Sequence, residues 1–122
     1  MIIMNKVLYL LGILTLIFMV GCQPVKNGKI NMKENSILID VRTIDEYKEG
    51  YITGAVNIPY DSIENKISNV TQQKNTPIYL YCRSGRRSAI AKAALEKIGF
   101  NDVTDLGGFS DAQNTLALPI VK

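Results

Sequence analysis

The sequence predicts an open parallel α/β sheet of four to five strands, flanked by helices, in a single domain. Three observations predict it. Two continuous apolar runs, 36–41 and 77–82, are short enough for strands and apolar enough to be buried on both faces. Segments with apolar residues at helical spacing lie between the runs. Strand alternating with helix implies crossover connections, and hence parallel strands.

The elements follow in order. Residues 23–34 (QPVKNGKINMKE) are polar, with one proline and one glycine, and read as a tether with a short strand near 29–32. The run Ser36 to Val41 is the first core strand. Thr43 then caps a short helix, with Glu46 three residues on completing a capping box, and Gly50 ends it. Residues 55–58 form a second strand, stopped by Pro59. Asp61 or Ser62 starts a helix whose apolar face is Ile63, Ile67 and Val70. Residues 77–82 are the third strand. The alanine-rich segment 88–98 is a helix with Ile90, Ala94, Leu95 and Ile98 as its stripe, and Gly99 as its C-terminal glycine. Residues 102–106 are a fourth strand, Gly107-Gly108 a tight turn, and a last short helix begins near Ser110.

The N-terminus reads differently from the rest. It has one charge, Lys6, then an apolar run from Val7 to Val20, then Gly21-Cys22. That is the layout of an export signal, and the run is shorter than the roughly 20 residues that span a bilayer. Met19-Val20-Gly21-Cys22 resembles the bacterial lipobox, which implies cleavage before Cys22 and lipid attachment to it. The expected organisation is a lipoprotein signal peptide at 1–21, a lipidated N-terminus and tether at 22–35, and the folded domain at 36–122. The mature protein is then exported and membrane-anchored, on the periplasmic or cell-surface side. Each buried methylene adds about 0.8 kcal/mol, so two or three acyl chains anchor stably.

Removing the signal leaves 101 residues with 13 basic and 11 acidic side chains. Neither this balance nor the distribution of the bases argues for a nucleic-acid partner. With Cys22 lipidated, Cys82 is the only free thiol, so a CxxC redox pair is excluded. One cysteine and no histidine cannot fill a structural zinc site, and no cofactor is expected. The lack of histidine also removes the Cys-His and Ser-His arrangements of most hydrolases.

Cys82 ends a strand, where open α/β sheets place their ligands. The turn after it leads into a helix, whose first-turn N–H groups are unpaired. Arg83, Arg86 and Arg87 add positive charge. Both features favour the thiolate, the nucleophilic form. Ser84 and Gly85 allow a tight turn whose N–H groups converge on an anion.

Four motifs carry a family resemblance: LIDVRTIDEY, EGYITGAVNIP, YCRSGRRSAIAKAALEKIGF and VTDLGGFSDA. In this order, over about 37–119, they resemble a single-domain rhodanese, a sulfurtransferase of the periplasmic phage-shock type. The resemblance implies a rhodanese-like sheet and a two-step reaction. Cys82 takes the outer sulfur of thiosulfate, or of a related donor, as a persulfide, and a thiophile such as cyanide or a thiol removes it. It implies that Arg83, Ser84, Gly85, Arg86 and Arg87 form the loop that holds the persulfide. Arg86 and Arg87 would be its anion-binding side chains, and Asp40 and Arg42 a supporting pair. Tyr51 stands where the family has histidine, and Phe109 near its tryptophan.

Three alternatives stay open. Cysteine phosphatases and arsenate reductases on this fold place arginine six residues after the cysteine; here that position is Ser88, and the loop Cys82 to Arg87 has six residues. A non-catalytic binding module usually lacks the cysteine. A persulfide carrier for a protein partner keeps it. Physiological donor, acceptor and oligomeric state are not read from the sequence.

Overall fold

The computed structural model describes residues 29–122. The expected export signal, Cys22 and the start of the expected tether lie outside the described residues. The elements are β1 (Ile37–Asp40), α1 (Ile44–Glu49), β2 (Tyr51–Ile52), β3 (Val56–Asn57) and α2 (Ile63–Lys66), which runs into a 3-10 turn (Ile67–Asn69). Then come β4 (Ile78–Tyr81), α3 (Arg86–Lys97), β5 (Val103–Asp105), α4 (Phe109–Leu116) and β6 (Ile120–Val121).

Four strands form one parallel sheet in the order β3-β1-β4-β5, as the alternating pattern predicts. Side chains alternate across it because successive Cβ atoms point to opposite faces. Ile39, Val41, Ile78, Leu80 and Cys82 join Ile63, Ile67, Ala91, Leu95 and Phe100 in one core layer. Leu38, Tyr79 and Tyr81 join Ile52, Ala55, Ala112 and Leu116 in the other. Hence β4 is buried at every residue, and its continuous apolar run is explained. Connections leave β1 toward β3 on one side, whereas β4 leads to β5 on the other. The carboxyl ends of β1 and β4 therefore flank the point where the chain reverses direction across the sheet, the place where such sheets bind ligands.

Local signals explain most boundaries. Thr43 Oγ1 accepts from the Glu46 N–H at 3.2 Å while the Glu46 carboxylate accepts from the Thr43 N–H at 3.2 Å, a complete capping box. Gly99, at φ 104°, closes α3. Its N–H donates to Glu96 O at 3.1 Å, and the Phe100 N–H reaches back to Leu95 O at 3.1 Å, which satisfies two terminal carbonyls.

Several expectations are corrected. Residues 29–32 form no strand; the segment lies along α4, with the Ile30 N–H donating to Thr115 O at 3.0 Å. The second α-helix stops at Lys66, and the tighter 3-10 turn that follows leaves Val70 exposed. Helix α3 begins at Arg86 rather than Ser88, so its buried positions are Ser88, Ala91 and Leu95, and Ile90 faces outward. Strands β2 and β6 pair antiparallel in a separate ladder, Tyr51 opposite Val121 and Ile52 opposite Ile120.

Candidate active site

Cys82 is fully buried directly beyond β4, a free thiol held by its own loop. Its N–H donates to Gly107 O at 3.0 Å, which fixes the strand end against the segment after β5. The chain then turns through Arg83, Ser84 and Gly85 into α3. Gly85 sits at φ 102°, a left-handed conformation that a side chain would strain. In this turn the Gly85 N–H donates to Cys82 Sγ at 2.9 Å. The Ser88 hydroxyl lies 3.5 Å from the sulfur and donates to Gly85 O at 3.1 Å.

These contacts decide the charge state. Burial pushes the thiol pKa up, but the Ser88 hydroxyl and the N–H groups of Ser88, Gly85 and Ser84 outweigh it, and Cys82 is held below its ordinary value. The sequence reading credits the arginines with much of this effect. The structure gives first place to Ser88 and the backbone amides at the start of α3, as expected for an anion at a helix N-terminus.

A second turn supports the first. Ser84 and Gly108 form an isolated antiparallel bridge, and the Phe109 N–H donates to Arg83 O at 3.2 Å. A Cβ on Gly108 would lie 2.7 Å from Arg83 O, so only glycine admits this approach. Gly107, at φ 81°, donates its N–H to Asp105 Oδ1 at 2.8 Å. The Gly-Gly pair thus acts as a backrest for the cysteine loop.

Asp40 and Arg42 end β1 as a buried bidentate pair. The Arg42 Nε donates to both carboxylate oxygens at 3.0 Å, and Nη2 donates to Asp40 Oδ2 and to Gly50 O, each at 2.6 Å. The Arg42 guanidinium carbon stands 4.5 Å from the centre of the Phe109 ring and 5.8 Å from that of Tyr81. Phe109 therefore packs on Arg42 while its amide holds the cysteine loop. Tyr51 stacks on Tyr47 at a centroid distance of 4.1 Å and belongs to the β2–β6 ladder.

The predicted loop residues come together, but their side chains differ in use. Arg86 opens α3, is exposed, and takes no ion pair among the described residues. Arg87 donates from Nη1 and Nη2 to the two Glu46 oxygens at 2.6 and 3.0 Å. Arg83 donates from Nε to Glu46 Oε2 at 2.9 Å. Sequence reasoning placed Glu46 only in a capping box and used Ser88 only as a missing arginine. Neither contact has a local signature, because each depends on where α1 and α3 start.

The described fold and site define a cysteine-centred α/β domain, its thiol ringed by amides at a sheet switch point. Residues 26–115 match the model for the rhodanese-like domain. The chain belongs to that family, a family of sulfurtransferases. It is 36% identical over 84 residues to the thiosulfate sulfurtransferase PspE of Escherichia coli, covering 69% of this chain and 77% of that protein. It is 35% identical over 88 residues to a sulfurtransferase of Allochromatium vinosum, covering 72% and 80%. Among solved structures, a rhodanese with anions from E. coli superposes with a TM-score of 0.65 at 34% identity, covering 71% of this chain and 98% of that one.

The Ser88 contact yields a pH prediction. Because the folded pKa is depressed, the thiolate form persists to lower pH than in the unfolded chain. Its contribution to stability is present above the unfolded pKa and is lost as pH falls through the folded value. Ser88→Ala removes the hydroxyl that stands 3.5 Å from the sulfur, which accepts from the thiol and can turn its proton from Gly85 O toward the thiolate. The iodoacetamide alkylation profile of Cys82 should move to higher pH, and the rate at pH 7 should fall by roughly tenfold. An unmoved profile would assign the lowered pKa to the amides and the Arg87 charge without Ser88.

Proposed function

We propose that the protein moves sulfane sulfur from thiosulfate, or a related donor, to a thiophilic acceptor through a persulfide on Cys82. The observation that carries this reading is the Gly85 N–H at 2.9 Å from Sγ, inside a six-residue loop closed by Arg87. The Cys82 thiolate attacks the outer sulfur of thiosulfate. The S–S bond breaks, its electron pair leaves on sulfite, and the cysteine becomes a persulfide anion. Amides at the start of α3 stabilise that anion. Cyanide or a thiol then attacks the outer sulfur, and the thiolate returns. Covalent catalysis of this kind gives ping-pong kinetics.

A second reading, a persulfide carrier for a protein partner, is favoured by one relative. The putative sulfur carrier protein YrkF of Bacillus subtilis is 36% identical over 78 residues, covering 64% of this chain and 41% of that protein. Both readings share the persulfide and differ in the acceptor. The full chain in detergent, carrying Cys22→Ser so that Cys82 is its only cysteine, should gain one sulfur atom from thiosulfate by intact mass. Cyanide should remove it and release thiocyanate. An unchanged mass sinks the reading, and turnover of an aryl phosphate in its place points to phosphatase chemistry.

We place this activity outside the cytoplasm on a lipid anchor at Cys22, from the lipobox-like 19–22 segment. Processing and membrane association that survive Cys22→Ser would exclude the anchor.

A further inference from the structure

The geometry points to Glu46 as the residue that sets the charge and shape of the cysteine loop. It binds two of the three loop arginines and leaves Arg86, without an ion pair among the described residues, as the guanidinium that meets the incoming anion. The inference rests on the sulfur-transfer reading for its substrate, though not for its main measurement.

The Glu46 carboxylate is fully engaged. Oε1 accepts from Arg87 Nη1 at 2.6 Å, from Thr43 Oγ1 at 3.1 Å and from the Thr43 N–H at 3.2 Å. Oε2 accepts from Arg83 Nε at 2.9 Å and Arg87 Nη2 at 3.0 Å. The Glu46 side chain is 18% exposed and that of Arg87 20%, whereas Arg83 is 63% exposed and makes a single contact through Nε. The Arg87 pair is thus a sheltered, two-nitrogen clasp, the geometry in which arginine is most specific. Arg87 directly follows Arg86 and precedes Ser88, the residue whose hydroxyl faces Sγ. A strut on Arg87 therefore positions the first turn of α3, where the amides reach the sulfur.

The clasp also changes the charge that the donor meets. The charged groups around Cys82 are Arg83, Arg86 and Arg87 on its own loop and Glu46 on α1. The Asp40–Arg42 pair ends β1, Asp105 ends β5, and Asp111 lies on α4. Arg42 and Asp40 satisfy each other. Glu46, held well below the usual carboxylate range by Arg87 against the opposing effect of burial, stays anionic wherever the thiolate exists. Two guanidinium groups closing on one oxyanion would favour a tetrahedral phosphate or arsenate. With Arg87 tied to Glu46 through two nitrogens and Arg83 through Nε, Arg86 and the amides remain.

The test uses the full chain with Cys22→Ser and reads Cys82 alkylation against pH, together with KM and kcat for thiosulfate. Glu46→Gln removes a negative charge and frees Arg87. The alkylation midpoint should move to lower pH and KM should fall roughly three- to tenfold. The loss of the strut should lower kcat at the same time. Arg87→Gln should do the reverse to midpoint and KM, since it leaves the carboxylate underpaired beside the loop. The double variant Glu46→Gln/Arg87→Gln should return the midpoint close to the parent value. A purely structural role predicts shifts in one direction for both single variants, and that result, or unmoved midpoints, overturns the inference. If Glu46→Gln fails to fold, Arg83→Gln and Arg87→Gln, made singly, read the same charge from the other side. Absence of turnover in the parent chain would count against the sulfur-transfer reading, while the midpoints would still test Glu46.

Discussion

Cys82→Ser is expected to lower thiosulfate-dependent sulfur transfer by roughly 10³-fold or more while leaving the fold intact. The loss follows from chemistry rather than from packing. A hydroxyl has too high a pKa to be an anion here, and an oxygen at this position cannot form the proposed persulfide. The same amides that favour a thiolate have no charged partner in the variant. Packing is nearly conserved because serine is close in size to cysteine. The new hydroxyl can accept from the Gly85 N–H and pair with Ser88, whose oxygen already stands 3.5 Å from the sulfur. Stability should therefore change by no more than about 1–2 kcal/mol. Thiocyanate release measured beside a urea unfolding curve separates the two effects. Turnover within tenfold of the parent protein would remove Cys82 from the nucleophile's role.

The parts of the fold that were legible are those whose cause is local. The runs at 36–41 and 77–82 read as buried strands because both faces of β1 and β4 are covered, which calls for nearly continuous apolar sequence, broken in β1 only by Asp40 with its Arg42 partner. Thr43 and Glu46 read as a capping box because the motif lies within one helical turn. The placement of Cys82 between a strand end and a helix was legible for the same reason, since the apolar run and the alanine-rich segment adjoin it. What stayed hidden depends on long-range pairing. Strands β2 and β6 have two residues each and meet across the length of the domain, so neither carries a pattern. Glu46 reaches arginines 37 and 41 residues away, and a carboxylate that already fills a capping box gives no sign of further partners. Ser88 acquired its contact with sulfur because α3 starts two residues earlier than alanine content suggests. Here the arginines, conspicuous in the sequence, divide their labour in a way that only the structure displays.

Asp40→Ala should destabilise the domain by about 3–5 kcal/mol. Asp40 is fully buried, and its carboxylate accepts from the Arg42 N–H at 2.9 Å as well as from the Arg42 side chain. Truncation leaves a guanidinium that is 6% exposed with Gly50 O as its one remaining acceptor. The cost is therefore that of an uncompensated buried charge, not that of one hydrogen bond. Replacing both partners by apolar residues of similar volume, Asp40→Leu/Arg42→Met, should recover most of the loss, because an apolar pair has no desolvation to offset. Sulfur transfer should not recover with it. The Arg42 guanidinium packs on the Phe109 ring, and the Phe109 amide holds Arg83 O, so the pair transmits its position to the loop that carries Cys82. Urea midpoints and turnover, measured on the single and double variants, separate these contributions. A single variant costing less than about 1 kcal/mol would show the charge to be solvated despite its burial. A double variant that regains full turnover would show the pair to act through stability alone. The expected split, stability restored and activity lost, would mean that the buried charges are kept for the geometry of the site.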